Sequence, residues 1–406
     1  MNQHVTLKRS LTLLQLVLYG LGTTIGAGIY ALIGELAGIS GYLAPVSFFV
    51  ASLIAGLTAM SFAELSGRYP RCAGAALYVK EGFSIDRLSI LVGLLVIAAG
   101  LVSAAALVNG FVGYLHEFIE LDRLVIIFLV VLCLGFIAAW GIKESVTIAA
   151  VITVIEIGGL LLIIVVSVNG LEMDSARWGA LLPSFDAASF GGIYAGSLLA
   201  FYAFIGFEDM VDVAEEAMDV KRNLPIAIIL TLGITTLLYM TIMITSVMTI
   251  SPEMLASSEA PLALIYEYHT GEQAVIISII GMFAIINGAL IQMIMASRVF
   301  YGLSSRGQFP AVLQFVHPKT RTPLVATLVA TVIVLILASV GRLATLAEAT
   351  SVIMLIVFSM VNLALWRIKL RDPNPADTIV FPFWIPIAGF FVSCAFVLSS
   401  LLHYIY

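Results

Sequence analysis

The sequence predicts an all-α polytopic membrane protein with about eleven spans, and three observations carry that prediction. Of its 406 residues 61% are hydrophobic and only 11% charged. The mean hydropathy of +1.10 lies far outside the globular range. The apolar residues gather into runs of about 20, the length that crosses a hydrocarbon core. Two of those runs occupy matching positions in the two halves of the chain, and both contain built-in breaks.

The predicted spans, in order, are Leu11–Leu36, Leu43–Leu65, Leu88–Leu115, Leu124–Trp140, Val146–Val168, Tyr194–Ala214, Leu224–Ile250, Ala274–Leu303, Leu324–Val340, Leu346–Trp366 and Phe383–Leu402. The connections are short, so residues 1–406 read as one membrane domain. Basic residues set the orientation. With eleven spans and a cytoplasmic N-terminus, only Arg123, Arg177 and Arg342 fall outside. The other 16 of the 19 Lys and Arg, among them Lys8, Arg9, Lys143, Arg306, Lys319, Arg321 and Lys369, lie on the cytoplasmic side. The expected location is the cell membrane. The first span lacks a small-residue cleavage site and is too long for a signal-peptide core, so it is expected to remain in the mature protein.

Other function classes lose ground on what the chain lacks. Cys72, Cys133 and Cys394 have no metal-ligand or redox spacing. The histidines His4, His116, His269, His317 and His403 fall in loops or at ends, so no histidine relay crosses the membrane. No G-x-x-x-x-G-K-[ST] loop, H-E-x-x-H or G-x-S-x-G motif occurs. These absences argue against ATP coupling within the chain and against common hydrolase chemistry. No enzyme activity, cofactor, metal or nucleic-acid partner is expected. The net charge of −6 carries little weight, because the basic residues are segregated to one face.

The first break lies in Gly20-Leu21-Gly22-Thr23-Thr24-Ile25-Gly26-Ala27-Gly28-Ile29-Tyr30. Gly22 and Gly26 form a G-x-x-x-G, which also marks plain close helix crossings. The alternative is an unwound patch whose free N–H groups receive an anion, helped by the dipole of the half-helix that follows. Thr23 and Thr24 can satisfy freed backbone, and Ala27 leaves room for a ligand. The second break lies in Phe201-Tyr202-Ala203-Phe204-Ile205-Gly206-Phe207-Glu208-Asp209. An ionised carboxylate at the centre of a span costs about 2.5–3.5 kcal/mol on insertion scales. Glu208 is therefore expected to take a proton or face a polar cavity, whereas Asp212, Glu215 and Glu216 read as a solvated or gate-forming end. Paired interruptions of this kind point to the substrate site of a secondary transporter.

The run Gly22 to Tyr30 resembles the G-x-x-I-G-x-G-I-[FY] signature of the amino acid–polyamine–organocation (APC) superfamily. Three further stretches resemble it in order: Ala63-Glu64-Leu65 with Arg68, Pro70, Gly74 and Tyr78; Phe201 through Glu208 to Lys221-Arg222-Asn223-Leu224-Pro225; and Ala296-Ser297-Arg298-Val299-Phe300-Tyr301 with Gly307, Pro310, His317-Pro318 and Thr322-Pro323. The likeness covers roughly residues 10 to 370. It implies two inverted five-helix repeats, 10–168 and 190–368, with discontinuous first and sixth helices, alternating access, and an extra helix at 383–402. Most members of the family have 12 spans, one more than are counted here. The resemblance implies a substrate-binding set of Thr23, Thr24, Ile25, Gly26, Ala27 and Gly28 at the first break and Phe201, Tyr202, Ala203, Phe204, Ile205 and Gly206 at the second. Within it the backbone around Ile25, Gly26, Ala27 and Gly28 would hold the substrate α-carboxylate, carbonyls freed near Tyr202 and Ile205 would take the α-amino group, and Tyr202 would close over the substrate. Glu208 matches an acidic position linked to proton sensing in some members.

Glu156, midway along the fifth span, is a departure. Proton-coupled relatives often place a lysine at what looks like this position, and a carboxylate reverses the charge. Pairing with a neighbouring helix, a protonatable coupling group and a cation ligand all remain open for it. The eighth span offers no Ser or Thr between Gly281 and Ala296, only Asn287 and Gln292 as side-chain oxygens, which disfavours sodium coupling through that helix. Proton coupling through Glu208 and Glu156 is the preferred expectation, with exchange as the alternative. A neutral amino acid is the first substrate class and cationic amino acids or polyamines the next; a sodium symporter, a channel and a transport-like receptor rank below.

Overall fold

The computed structural model describes residues 11–71, 74–140, 146–171, 175–184, 186–305, 307, 309–318, 320, 322–375 and 377–405. His4, Lys8, Arg9, Cys72, Lys143, Arg306, Lys319 and Arg321 lie outside them, as do the side chains of Ala27, Asp212, Glu215 and His403.

Among the described residues the apolar runs form eleven long helices. These are α1 (Leu13–Ser40), α2 (Ala44–Arg68), α4 (Asp86–His116), α5 (Arg123–Trp140), α6 (Val146–Val168), α8 (Ala187–Tyr202), α9 (Val220–Thr249), α12 (Val275–Ser305), α13 (Leu324–Val340), α14 (Leu343–Arg371) and α15 (Trp384–Ile405). The sixth predicted span, Tyr194–Ala214, is α-helical only to Tyr202 and starts earlier, at Ala187. Four short helices connect them: α3 (Gly74–Phe83), α7 (Ser175–Ala180), α10 (Pro252–Ala256) and α11 (Pro261–Thr270). Among the described residues nine segments are long and apolar enough to cross a membrane, one of which, Gly28–Arg68, runs the second half of α1 into α2. The shorter apolar helices Leu13–Gly26 and Leu324–Val340 complete the set. The chain is a multi-pass membrane protein.

Local chemistry sets the ends of these elements. Thr12 and Gln15 close a capping box at the start of α1, with Thr12 N–H donating to Gln15 Oε1 at 3.0 Å. Asp186 caps α8 by accepting from Ser189 N–H at 2.8 Å. At the face where α1 begins, Leu11 N–H donates to Glu216 O (3.0 Å) and Met218 N–H to Leu11 O (2.9 Å). This one-residue bridge joins the foot of α1 to the end of the segment that follows α8.

A buried ionic cluster sits near the same face. Glu64 on α2 is fully buried and accepts from Arg68 (2.7 Å), Lys369 Nζ on α14 (2.6 Å) and Phe381 N–H (2.9 Å). Lys369 also donates to Phe381 O at 2.7 Å. Charge position alone puts Lys369 in a solvated loop; the structure instead buries it, 3% exposed, against a carboxylate. The cluster ties α2, α14 and the entry to α15 into one unit. Next to it Asn362 donates to Thr58 Oγ1 (2.8 Å) and accepts from Ser61 (2.6 Å).

Candidate functional site

Both predicted breaks are present. Gly26 leaves helical geometry inside α1 at φ −19°, ψ −120°, which splits the helix into two halves. After α8 ends at Tyr202, Gly206 takes φ +127° and the chain continues as a 3₁₀ helix, Phe207–Glu216. That φ is open to glycine but not to residues with a β-carbon.

Glycines let the two breaks touch. A methyl on Gly28 would lie 2.9 Å from Ala203 Cα, and one on Gly206 would collide with the Thr23 carbonyl. A third helix then fastens them. The Tyr239 hydroxyl on α9 lies 2.9 Å from Thr24 O, 3.1 Å from Ala203 O and 3.4 Å from Ile25 O. One phenol thus reaches carbonyls that each break exposes, while its ring packs on Phe48 and Phe204.

Two adjoining cavities open at the breaks. The first is lined by Gly22, Thr23, Thr24, Gly26 and Gly28 from α1 and by Tyr202, Ile205 and Asp209 from the second break. Ser103 and Leu107 on α4, and Ala284, Asn287, Gly288, Ile291 and Gln292 on α12, complete it. The second shares Ser103, Ile205, Asp209 and Gln292 and adds Glu208, Gly74, Ala75, Val96, Met295, Thr350 and Met354 among others. Gly74 and Ala75 begin α3, so the second cavity leads from the breaks toward the face where α1 starts. On the opposite face α10 and α11 cover the site. A methyl on Gly34 would lie 2.6 Å from Leu255 O, and His116 Nδ1 lies 3.0 Å from Glu259 Oε2.

Of the predicted binding residues, Thr23, Thr24, Gly26, Gly28, Tyr202 and Ile205 line the first cavity. Tyr202 is held there by Ser103, hydroxyl to hydroxyl at 2.9 Å. Ile25, Phe201, Ala203 and Phe204 are buried behind it. Phe201 packs edge-on against Phe358 and Phe204 against Phe48, so these rings support the breaks from the core. Gly206 supplies the turn between them and a backbone N–H that donates to Glu208 Oε2 at 2.8 Å. Glu208 therefore caps the 3₁₀ segment and borders the second cavity at once.

Glu156 sits on α6 behind the first break, 2% exposed, and among the described residues neither carboxylate oxygen has a hydrogen-bond partner. Its backbone carbonyl accepts from Tyr30 at 2.7 Å, and Tyr114 donates to Tyr30 O at 2.9 Å. Among the described residues no ion pair reaches it, so the pairing reading finds no support there.

Ser103 and Tyr239 carry no sequence mark of their partnership; Asp209 is marked only as the carboxylate beside Glu208. Asn287 and Gln292 do stand out as lone amides in an apolar helix, and their place in the wall accounts for that. The described residues contain no group of three or more His, Cys, Asp or Glu able to hold a metal ion.

With this geometry in hand, comparison with known proteins gives the family. The family profile described as "Amino acid permease" matches residues 11–404, and the chain belongs to that family, within the APC superfamily. It is a family of transporters, not enzymes. The chain is 26% identical over 394 residues to the branched-chain amino acid permease BcaP of Bacillus subtilis, covering 91% of this chain and 83% of that one. It is 29% identical over 390 residues to the vacuolar cationic amino acid transporter 4 of Arabidopsis thaliana, covering 91% and 64%. It is 25% identical over 404 residues to the methylthioribose transporter of Bacillus subtilis, covering 93% and 85%. The chain thus spans somewhat less than two thirds of the Arabidopsis transporter's length.

Proposed function

We propose that the chain is a secondary carrier that moves amino acids across the cell membrane by alternating access, as a proton-coupled symporter of neutral amino acids. Its N-terminus is cytoplasmic in this reading, and its two halves are the repeats 10–168 and 190–368. The observation that carries the reading is the direct contact of two broken helices at the head of a cavity leading to one face.

At the first break the backbone N–H groups around Gly26 and Gly28 receive the substrate α-carboxylate, in the positive field at the start of the second half of α1. The α-amino group takes carbonyl oxygens near Tyr202 and Ile205, and Tyr202, fixed by Ser103, closes over the substrate. The proton acts at Glu208. As a carboxylate it is a strong acceptor for Gly206 N–H; protonation weakens that cap and frees the turn on which the second break depends. Glu156 is the second protonatable group, because a carboxylate without a partner at this depth is cheapest when neutral.

A second substrate reading follows from Asp209, which lines both cavities with Glu208 beside it, while no Lys, Arg or His is among their lining residues. Such a wall suits a cationic amino acid, the substrate class named for the Arabidopsis relative.

The test is uptake of a radiolabelled amino acid panel into proteoliposomes under a proton gradient, a sodium gradient or trans-loaded substrate. Proton-driven accumulation of a neutral amino acid, lost in Glu208→Gln, is expected. Accumulation of Arg or Lys alone would select the second reading, stimulation only by trans-loaded substrate would make the protein an exchanger, and sodium-driven accumulation would overturn the coupling assignment.

A further inference from the structure

Helix α9 carries six threonines, and they fall into two groups. Thr236, Thr241, Thr245 and Thr249 donate to the carbonyl one turn back, at 2.7–3.0 Å, the usual way a helical threonine satisfies itself in a dry environment. Thr231 and Thr235 do not. Both are 0% exposed and neither hydroxyl has a partner among the described residues. With Tyr239 they stand at four-residue spacing, one above another on a single helix face. That face meets α1: Gly20 brings α1 against Thr231 and Met210 with no side chain between them, and Tyr239 reaches Thr24 O. Thr24 on α1, 3% exposed, also has an unpartnered hydroxyl. A buried hydroxyl left without a partner costs about 1–3 kcal/mol, so a column of three has a high cost unless something occupies it.

The ends of the column are chemically distinct. Its lower end meets Met210, the residue after Asp209, on the segment whose Glu208 borders the second cavity. Its upper end is Tyr239, which lies within electrostatic reach of Glu156, as Tyr30 does.

We propose that Thr231, Thr235 and Thr24, with Tyr239 at the head, form a proton relay between Glu156 and the Glu208–Asp209 segment, with water as the ligand that joins the hydroxyls. Each hydroxyl accepts a proton on its lone pair and passes its own proton on. The net change is one proton moved, carboxylate to carboxylic acid at Glu156, with the reverse at the acidic segment. This rests on the proton-coupling reading above and adds the route. The ionisable groups that face Glu156 are Tyr30 from α1, with Tyr114 behind it, and Tyr239 from α9. Between Val275 and Ser297, α12 has no ionisable side chain. The acid and histidine of α11, Glu267 and His269, belong to the far end of α6, where the His269 ring abuts Gly170, about 21 Å along the helix from Glu156. Thr231 and Thr235 are fully buried, so bulk water does not replace that part of the route.

Thr→Val keeps shape and removes the hydroxyl, so Thr231→Val and Thr235→Val are the variants, with Thr235→Ser as the conservative one. In proteoliposomes carrying a trapped pH dye, substrate-elicited proton entry and proton-driven accumulation are measured beside exchange against trans-loaded substrate at equal pH. The relay predicts that proton entry falls about tenfold, an added barrier of about 1.4 kcal/mol, that exchange is retained, and that Thr235→Ser behaves as the unaltered protein. Proton entry unchanged in both Val variants would overturn the relay. So would loss of exchange in parallel with proton entry, which would assign the threonines to packing. If the unaltered protein shows no proton-driven accumulation at all, it is the coupling reading that fails, before any threonine is tested.

Discussion

Tyr239 has an outsized structural role for a single side chain. Its hydroxyl reaches Thr24 O and Ala203 O, which belong to different breaks more than 170 residues apart in sequence. Tyr239→Phe leaves the ring packing against Phe48 and Phe204 intact and strips both carbonyls of their donor. Loss of such bonds costs about 1 kcal/mol each. The expected result is a protein that folds, melts a few degrees lower, and has a substrate KM raised several-fold, because the α-carboxylate slot beside Thr24 loses its brace. Uptake kinetics and thermal unfolding in detergent check this, and an unchanged KM would mean the bridge is structural only. For Glu156 and Glu208, replacement by Gln mimics the protonated state. Each variant is expected to flatten the pH dependence of uptake without unfolding; pH profiles identical to the unaltered protein in both would remove these residues from coupling.

At the scale of elements, the breaks depend on glycines whose neighbours are other backbones. Gly206 holds φ +127° with the Thr23 carbonyl against it, so Gly206→Ala is strained both by its backbone angle and by collision. Gly28→Ala meets Ala203 Cα at 2.9 Å and pushes α1 off the second break. Both variants are expected to insert and yet lose substrate binding; Gly26→Ala, where a methyl meets nothing within 4 Å, is the variant that adds a side chain without a collision. Ligand-induced thermal stabilisation separates these outcomes. These interruptions were legible in the chain because they break a local rule: glycine clusters and adjacent carboxylates do not belong inside an apolar run. Span positions were legible for the same reason, hydropathy being a local property. What faces what was not. Ser103 and Tyr239 do not stand apart from the other polar residues of α4 and α9, and only the packing of those helices against the breaks gives them partners. Phe201 and Phe204 read as site residues by adjacency, but their helix turns them into the core.

Across the whole molecule, the two faces differ. Toward the face where α1 begins, the second cavity reaches Gly74 and Ala75; toward the other, α10 and α11 press on α1 and α4. The buried cluster of Glu64, Arg68 and Lys369 holds α14 and the entry to α15 to α2. Lys369→Met removes one partner of a carboxylate that has no exposure, and loss of such a partner costs about 3–5 kcal/mol. A marked drop in melting temperature is expected, recovered in part by Glu64→Gln in the same chain. The second cavity extends toward the α1 start, and the chain from Leu255 to Glu259 lies against α1 and α4 on the other side. Thr350→Cys, in a background with the native cysteines replaced, places a thiol in the wall of the second cavity. A membrane-impermeant maleimide is expected to label it from the cytoplasmic side, and bound substrate to slow that labelling. Gly113→Cys is unsuitable as a control because its site is filled by Glu259; Glu117→Cys, on the covered face, provides one that labels from the other side. Labelling of Thr350→Cys from the Glu117 side alone would reverse the assigned topology, and equal labelling from both sides would contradict a single closed face.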